Sequence, residues 1–405
     1  MELRSGYKQT EVGVIPEDWE LKPIGESFDI CNHLRYPISQ DVRKKMVGEY
    51  PYYGPTKAQD YINEYRVEGE YALIGEDGDH FLKWRESPMT LLVNGKFNVN
   101  NHAHLVKGVR NLTSWFYYYF QNRDITSYLT RQGAGRYKLT KNTLITIPCP
   151  LPSPSEQRII VAALSDVDAL ITSLDRLIAK KRDIKQATMQ QLLTGKTRLP
   201  GFSGEWGVKK LGEVGKPYGG LSGKSKEDFA NGQYPYIPFL NIMNNPIIDI
   251  NYFDYVNIDP GESQNKVIKG DLFFNGSSET PEEVGMCSVL NEDIPNLYLN
   301  SFCFGFRLNK ELKTNGLYLS YYFRSSVGRQ LFYSLAQGAT RYNLSKSNFL
   351  KMEIPYPEPE EQTSIATILT DMDAEIVSLE QKHDKTRALK QGMMQELLTG
   401  KTRLI

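Results

Sequence analysis

A chain of 405 residues with 40% hydrophobic, 24% charged and 11% aromatic content has room for two or three ordinary globular domains of roughly 100 to 200 residues each, and its make-up excludes a disordered or fibrous protein. No apolar run approaches the roughly 18 residues that span a bilayer, and the opening MELRSGYKQTEVGVIP lacks the apolar core of a secretory signal, so a cytoplasmic location without membrane contact is expected. The 48 basic residues balance the 48 acidic ones, so any surface for a polyanion must be local.

In chain order, Cys31 comes first; with Cys149, Cys287 and Cys303 it shows no C-x-x-C spacing, so neither a disulfide framework nor a zinc site is predicted. YALIGEDG at 71–78 is a short apolar run ended by turn residues. Glu76 and Asp77 beside glycines read as a turn more readily than as a magnesium site. MTLLVNGKFNVNNHAHLV at 89–106 alternates like paired strands joined by an Asn-Gly turn at 94–95. Asn94, Lys96, Asn98 and Asn101 are polar groups at these strand ends that can pair with base edges, with ordinary turn roles as the competing reading. His102 and His104 share a strand face without a third ligand, which favours hydrogen bonding over metal binding. NLTSWFYYYFQNRDITSYL at 111–129 is predicted helical, with Trp115, Tyr118 and Tyr119 on a core face. RQGAGRYKLTK at 131–141 places Arg131, Arg136, Lys138 and Lys141 around glycines that let backbone approach a phosphate. It lacks the third glycine and the strand-to-helix setting of a dinucleotide fingerprint.

Ser153, Pro154 and Glu156 spell an S-x-x-E helix start with proline at the first helical position. Ile160, Leu164, Val167, Ile171, Leu174 and Ile178 then recur at alternating steps of four and three, the seam of a coiled coil. Met189, Leu192 and Leu193 precede Gly195, a left-handed-capable stop, so the helix runs about 40 residues or roughly 60 Å. In the second half, GGLSGKS at 219–225 has one residue too few for a phosphate-binding loop. DLFFNGSS at 271–278 repeats the strand-then-turn pattern and offers Asn275, Ser277 and Ser278 to base edges. NGLYLSYYFRSSVGRQLFYSL at 315–335 is predicted helical, with Tyr318, Tyr321 and Tyr322 facing the core. QGATRYNLSK at 337–346 supplies Arg341 and Lys346. A second long helix begins near Pro359 and Glu361 and carries Ile365, Leu369, Met372, Ile376 and Leu379, with His383 next on the seam as an edge residue and Gly400 as its stop.

These halves are copies. Sliding the chain by 205 positions aligns Gln132–Leu199 with the second half without a gap, at roughly half of the positions identical. Upstream the match is patchy: PEDWELKPIGE around Trp19 parallels SGEWGVKKLGE around Trp206. The predicted fold is therefore α+β: two variable globular domains (1–150 and 201–353) separated by two constant helical segments (151–200 and 354–405). The helices pair antiparallel with one another, and the whole is a pseudo-two-fold repeat with neighbouring ends. No G-x-S-x-G or H-E-x-x-H motif occurs, so no catalytic residue, metal or cofactor of its own is expected.

The order of variable region, P-x-P-x-E-Q helix ending in LLTGKTRLP, second variable region and second such helix, behind the opening GYKQTEVGVIPEDWELKPIGE, is similar to the specificity subunits of Type I restriction-modification systems. YALIGEDG, NVNNHAHLV and GDLFFNGSS resemble strand segments of their target-recognition domains. The resemblance implies a non-catalytic subunit whose two target-recognition domains each read half of a bipartite double-stranded DNA site. It also implies helices that set the spacing and bind two modification (methyltransferase) subunits, and restriction subunits with translocase and nuclease activity that join them. S-adenosylmethionine, ATP and Mg²⁺ then belong to those partners. The alternative from another class is a coiled-coil scaffold carrying two protein- or glycan-binding domains.

Overall fold

The computed structural model describes residues 5–121, 123–132, 136–229, 232–338 and 341–404, with the side chains of 131, 132 and 136 also outside the described set. Two compact units partition the chain: Met1–Asp175 with Lys382–Ile405, and Arg176–Gln381. Each unit takes half of each long helix, whereas the boundaries read from sequence set the helices apart as regions of their own.

In the first unit the strands Phe28–Ile30, Ala103–Gly108, Tyr71–Gly75 and Thr90–Val93 form one sheet in that spatial order, every pair antiparallel. A second sheet orders Ala58–Ile62, Val47–Tyr53, Lys96–Val99 and Val67–Glu68. Tyr71–Gly75 is buried at every residue because it has a core on both faces. Leu73 turns with Phe97, Val99 and Leu105 into the core between the sheets, while Ala72 and Ile74 meet the helix Thr113–Gln121 through Trp115, Phe116 and Phe120. The Asn-Gly turn does not close a hairpin. Gly95 bends at φ 91°, but Thr90–Val93 pairs with Tyr71–Gly75 while Lys96–Val99 crosses to the other sheet beside Val67–Glu68. The flanking apolar residues Val93 and Phe97 enter one core from opposite sheets, so the turn is a corner between layers.

The second unit repeats the topology with different residues. Gly215–Gly219, Cys303–Leu308, Leu272–Asn275 and Cys287–Val289 make the antiparallel sheet, and Asp254–Val256, Tyr234–Ile237 and Tyr298–Leu299 the other. Phe273 enters the core between sheets. Leu272 and Phe274 pack against the helix Gly316–Arg324 through Tyr318, Tyr322 and Phe323.

The long helices span Pro154–Leu192 and Pro359–Leu397, 39 residues each, about 58 Å at 1.5 Å per residue. Gly195 and Gly400 stop them in left-handed conformation, at φ 68° and 69°. In the first unit Ile160 and Leu164 join Met394, Leu397 and Leu398 in the core, Leu174 is buried, and Val167 and Ile171 are half-buried. In the second, Ile365 and Leu369 join Leu192 and Leu193; Ile178 and Ile376 are buried, Met372 and Leu379 half-buried. The partners run antiparallel: Asp175 meets His383 and Asp168 meets Lys390 in the first unit, as Lys181 meets Glu375 and Arg198 meets Glu361 in the second. The Tyr7 hydroxyl donates to the Gly400 carbonyl at 2.9 Å, bringing the two ends of the described chain together.

Candidate nucleic-acid interface

Each unit carries one backbone platform built from three segments. In the first, the Glu76 amide donates to the His102 carbonyl (2.8 Å) and the Leu139 amide to the Glu76 carbonyl (2.7 Å). This joins the turn after Lys96–Val99, the end of Tyr71–Gly75 and the repeated segment 136–141. The Asn100 side chain accepts from the His102 amide and fixes the turn. In the second unit the Gly276 amide donates to the Phe302 carbonyl (3.2 Å), the Leu344 amide to the Gly276 carbonyl (2.9 Å), and Asn300 accepts from the Phe302 amide. Asn100, Glu76 and His102 correspond to Asn300, Gly276 and Phe302, each 200 positions further along the chain.

The side chains on the two platforms differ. In the first, the Glu76 carboxylate receives Arg35 at 2.8 Å and Lys138 at 3.5 Å. His104 is buried; its Nε2 donates to the Leu139 carbonyl at 2.7 Å, leaving Nδ1 to accept from Asn32 and Arg35. Burial holds its pKa below the ordinary value, and the Leu139 bond opposes that. Exposed His102 pairs with Asp77 at 2.9 Å. In the second unit the counterpart of His104 is Phe304, stacked on Phe274 at 5.4 Å and edge-on to Phe349. Among the described residues no group of three or more His, Cys, Asp or Glu is arranged to hold a metal.

The site residues expected from sequence fall into distinct places. Asn101 is exposed on the first platform, Lys138 is engaged by Glu76, and Lys141 is exposed at the start of the helix Lys141–Thr146. The side chains of Arg131 and Arg136 lie outside the described set, as do residues 133–135. Arg341 and Lys346 are exposed on the second platform, and Ser277 is half-buried, paired in register with Asn343. Asn94 and Lys96 are exposed at the far end of the strand that leads to Asn101, about 20 Å away at 3.3 Å per residue. Asn98 and Asn275 are fully buried. The Asn98 amide group bonds the Glu64 carbonyl and the Arg66 amide, and Asn275 accepts from the Met286 amide. Ser278 is buried and donates to Glu283. These three satisfy the protein's own polar groups, and as folded they present nothing to a base edge.

Two duplicated polar joints escaped sequence reading. The buried Glu156 carboxylate accepts from the Trp19 indole at 3.1 Å and from Arg403 at 2.8 Å; buried Glu361 accepts from Trp206 at 2.9 Å and Arg198 at 2.7 Å. The arginine in each TGKTR therefore clamps the glutamate that opens the other long helix. Of the capping box read at Ser153 and Glu156, the serine half forms, at 3.3 Å, but the carboxylate serves this clamp. Asp168 likewise takes the Tyr118 hydroxyl at 2.9 Å and Lys390 at 2.6 Å, and Asp373 takes Tyr321 at 2.8 Å and Lys185. Burial and the neighbouring carboxylate push both phenols well above their ordinary pKa, with burial first.

Among known proteins, the chain is 28% identical to a putative type I restriction enzyme specificity subunit, S.HindORF215P, of Haemophilus influenzae over 86% of each chain. It is 26% identical to the type I restriction enzyme MjaVIII specificity subunit of Methanocaldococcus jannaschii, covering 96% of this chain and 94% of that one. Its fold matches the crystal structure of a Type-I restriction-modification system S subunit from M. genitalium, with a TM-score of 0.61, 14% identity and 98% of each chain covered. These matches do not favour the scaffold alternative. The family model described as Type I restriction modification DNA specificity domain matches residues 16–181 and 203–387, most of the chain and both halves of the repeat, so the chain belongs to the specificity subunits of Type I restriction-modification systems, the non-catalytic members of those assemblies.

Proposed function

We propose that each platform reads one half of a bipartite double-stranded DNA site, and that the paired long helices set the spacer and dock two modification subunits, with restriction subunits joining the larger complex in the cytoplasm. S-adenosylmethionine, ATP and Mg²⁺ bind to those partners. The observation that carries this reading is the duplication itself: one backbone platform, built twice by the same hydrogen bonds, bears different side chains at matching positions. Two dissimilar readers on a shared frame suit an asymmetric two-part site. Exposed Asn101, Lys141, Arg341 and Lys346 and half-buried Ser277 are the proposed DNA contacts, the cations on phosphates and the small polar groups on base edges, with Asn94 and Lys96 as outlying contacts.

Mapping methylated adenines in cells that express this chain with its modification partner tests the reading. A two-part site with a fixed gap is expected; a single continuous site overturns it. On the purified complex, Arg341→Ala should weaken binding about equally on all sequences and flatten the salt slope by about one unit.

A further inference from the structure

Phe302 is 63% exposed at the tip of its turn, while the next two residues, Cys303 and Phe304, are buried. A single exposed phenylalanine is ordinary on a protein surface. This one is held in place from three sides. Its amide donates to the Asn300 side chain at 3.0 Å, the Asn300 amide nitrogen is anchored on the Ile237 carbonyl at 3.0 Å, and its own carbonyl accepts from Gly276 at 3.2 Å. The backbone is thereby fixed and the side chain left in water, so that on contact only the ring's own rotamers remain to be ordered. Gly276, to which that carbonyl is bonded, accepts in turn from Leu344 in the segment that carries exposed Arg341, Asn343 and Lys346. One backbone platform thus carries an apolar ring together with cationic and amide groups, a composition matched to a base stack flanked by phosphates. The first unit has an aromatic residue at the same position, His102, but there the ring is tied to Asp77.

We propose that Phe302 is an aromatic wedge that enters the DNA base stack at the half-site read by the second unit, unstacking one step and stacking on the exposed base face. The proposal rests on the reading of the platforms as DNA-facing and adds a residue and a mode of contact to it. A ring so placed contributes affinity without releasing counterions, since it neutralises no phosphate.

The test uses the purified complex of this chain with its modification subunits, on a duplex carrying the site mapped from methylated adenines, with 2-aminopurine placed at each half-site position in turn. Besides the adenine that the modification subunits flip out for methylation, wild type should brighten the analogue at one further step, in the half-site of the second unit. Phe302→Ala should abolish that signal and lower affinity on the order of tenfold, with an unchanged salt slope and unchanged thermal stability, because the ring is exposed. Phe302→Trp should retain both signal and affinity. Affinity of Phe302→Ala within twofold of wild type overturns the wedge, as does full affinity and signal in Phe302→Leu, or a defect that appears in subunit assembly without DNA. A silent Phe302→Ala beside an Arg341→Ala that flattens the salt slope removes the wedge alone; if neither variant changes binding, the DNA-facing reading of the platform falls with it.

Discussion

Residues 100–104 and 300–304 occupy the same turn in their respective units, yet the first reads NNHAH and the second NSFCF. The asparagine that fixes the turn is kept, and so are the backbone bonds that tie it to residues 76 and 276. What changes is the filling. The first unit closes its platform with ions, through Glu76, Arg35, Lys138 and neutral His104; the second closes it with rings, Phe274, Phe304 and Phe349. Backbone hydrogen bonds carry no side-chain information, so a frame built on them tolerates either chemistry above and below it. That separation of frame from filling lets two readers diverge while the fold stays one.

The largest effect expected from this contrast lies in the aromatic cluster. Phe274 touches the rings of Phe304, Phe306, Phe323, Phe332 and Phe349, so Phe274→Ala should lose about 3 to 5 kcal/mol. Ile74 stands at the matching position in the first unit, and Ile74→Ala should lose about 2 to 4 kcal/mol. Urea unfolding gives the totals, and hydrogen exchange shows whether loosening is confined to the unit that carries the change. A smaller loss for Phe274→Ala than for Ile74→Ala, or exchange rising throughout both units, would break the distinction between a ring-filled and an ion-filled unit.

A smaller effect should be similar in both units, because the clamp on the buried glutamate is duplicated, although Arg403 also pairs with exposed Asp18 at 2.9 Å where Arg198 bonds the Ser203 and Gly204 carbonyls. Arg198→Ala and Arg403→Ala each strand a carboxylate that is almost fully buried. Each should lose about 2 to 3 kcal/mol, below the full figure for a buried pair because the guanidinium groups keep about a fifth of their surface in water. Lysine at either position should recover only part of the loss, since it cannot span both carboxylate oxygens as the fork does. Wild-type stability in Arg198→Lys would show that charge alone suffices.

What the sequence made legible was whatever is local or repeated. Helix starts at Pro154 and Pro359, stops at Gly195 and Gly400, and burial of Trp115 and Tyr318 follow from spacing of three and four and from the conformational freedom of glycine. The Asn-Gly turn misled because its geometry suits a hairpin and a corner alike, and only the partners of the flanking strands decide between them. Glu156 misled for a related reason. A capping box needs only Ser153, three positions back, whereas the actual partners are 137 and 247 positions away at Trp19 and Arg403. The signal was present as the recurrence of Trp19, Glu156 and Arg198 as Trp206, Glu361 and Arg403. The platforms were hidden because the variable halves align at a step of 200 while the helices align at 205. A single slide of the chain therefore passes over Asn100 and Asn300.

The smallest effect is one of pH, and it should belong to the first unit's platform alone, since the second has Phe304 where the first has His104. Burial depresses the folded pKa of His104 below its ordinary value near 6.5. Arg35 and Lys138 push the same way, and Glu76 and the Leu139 carbonyl oppose them. Above about pH 6.5 the ring is neutral in both states and its contribution is complete. As pH falls below that value the unfolded chain takes up a proton that the folded one refuses, so stability drops until the folded pKa is reached. His104→Gln keeps a donor for the Leu139 carbonyl but cannot titrate. Its unfolding free energy, measured by urea from pH 7 down to pH 5, should fall less steeply than that of wild type, while Phe304→Leu in the second unit should leave the wild-type slope unchanged. Parallel curves for His104→Gln and wild type would mean that the folded ring takes up its proton as readily as the unfolded one, and the ion-filled platform would then need a different account of how Arg35 is held beside it.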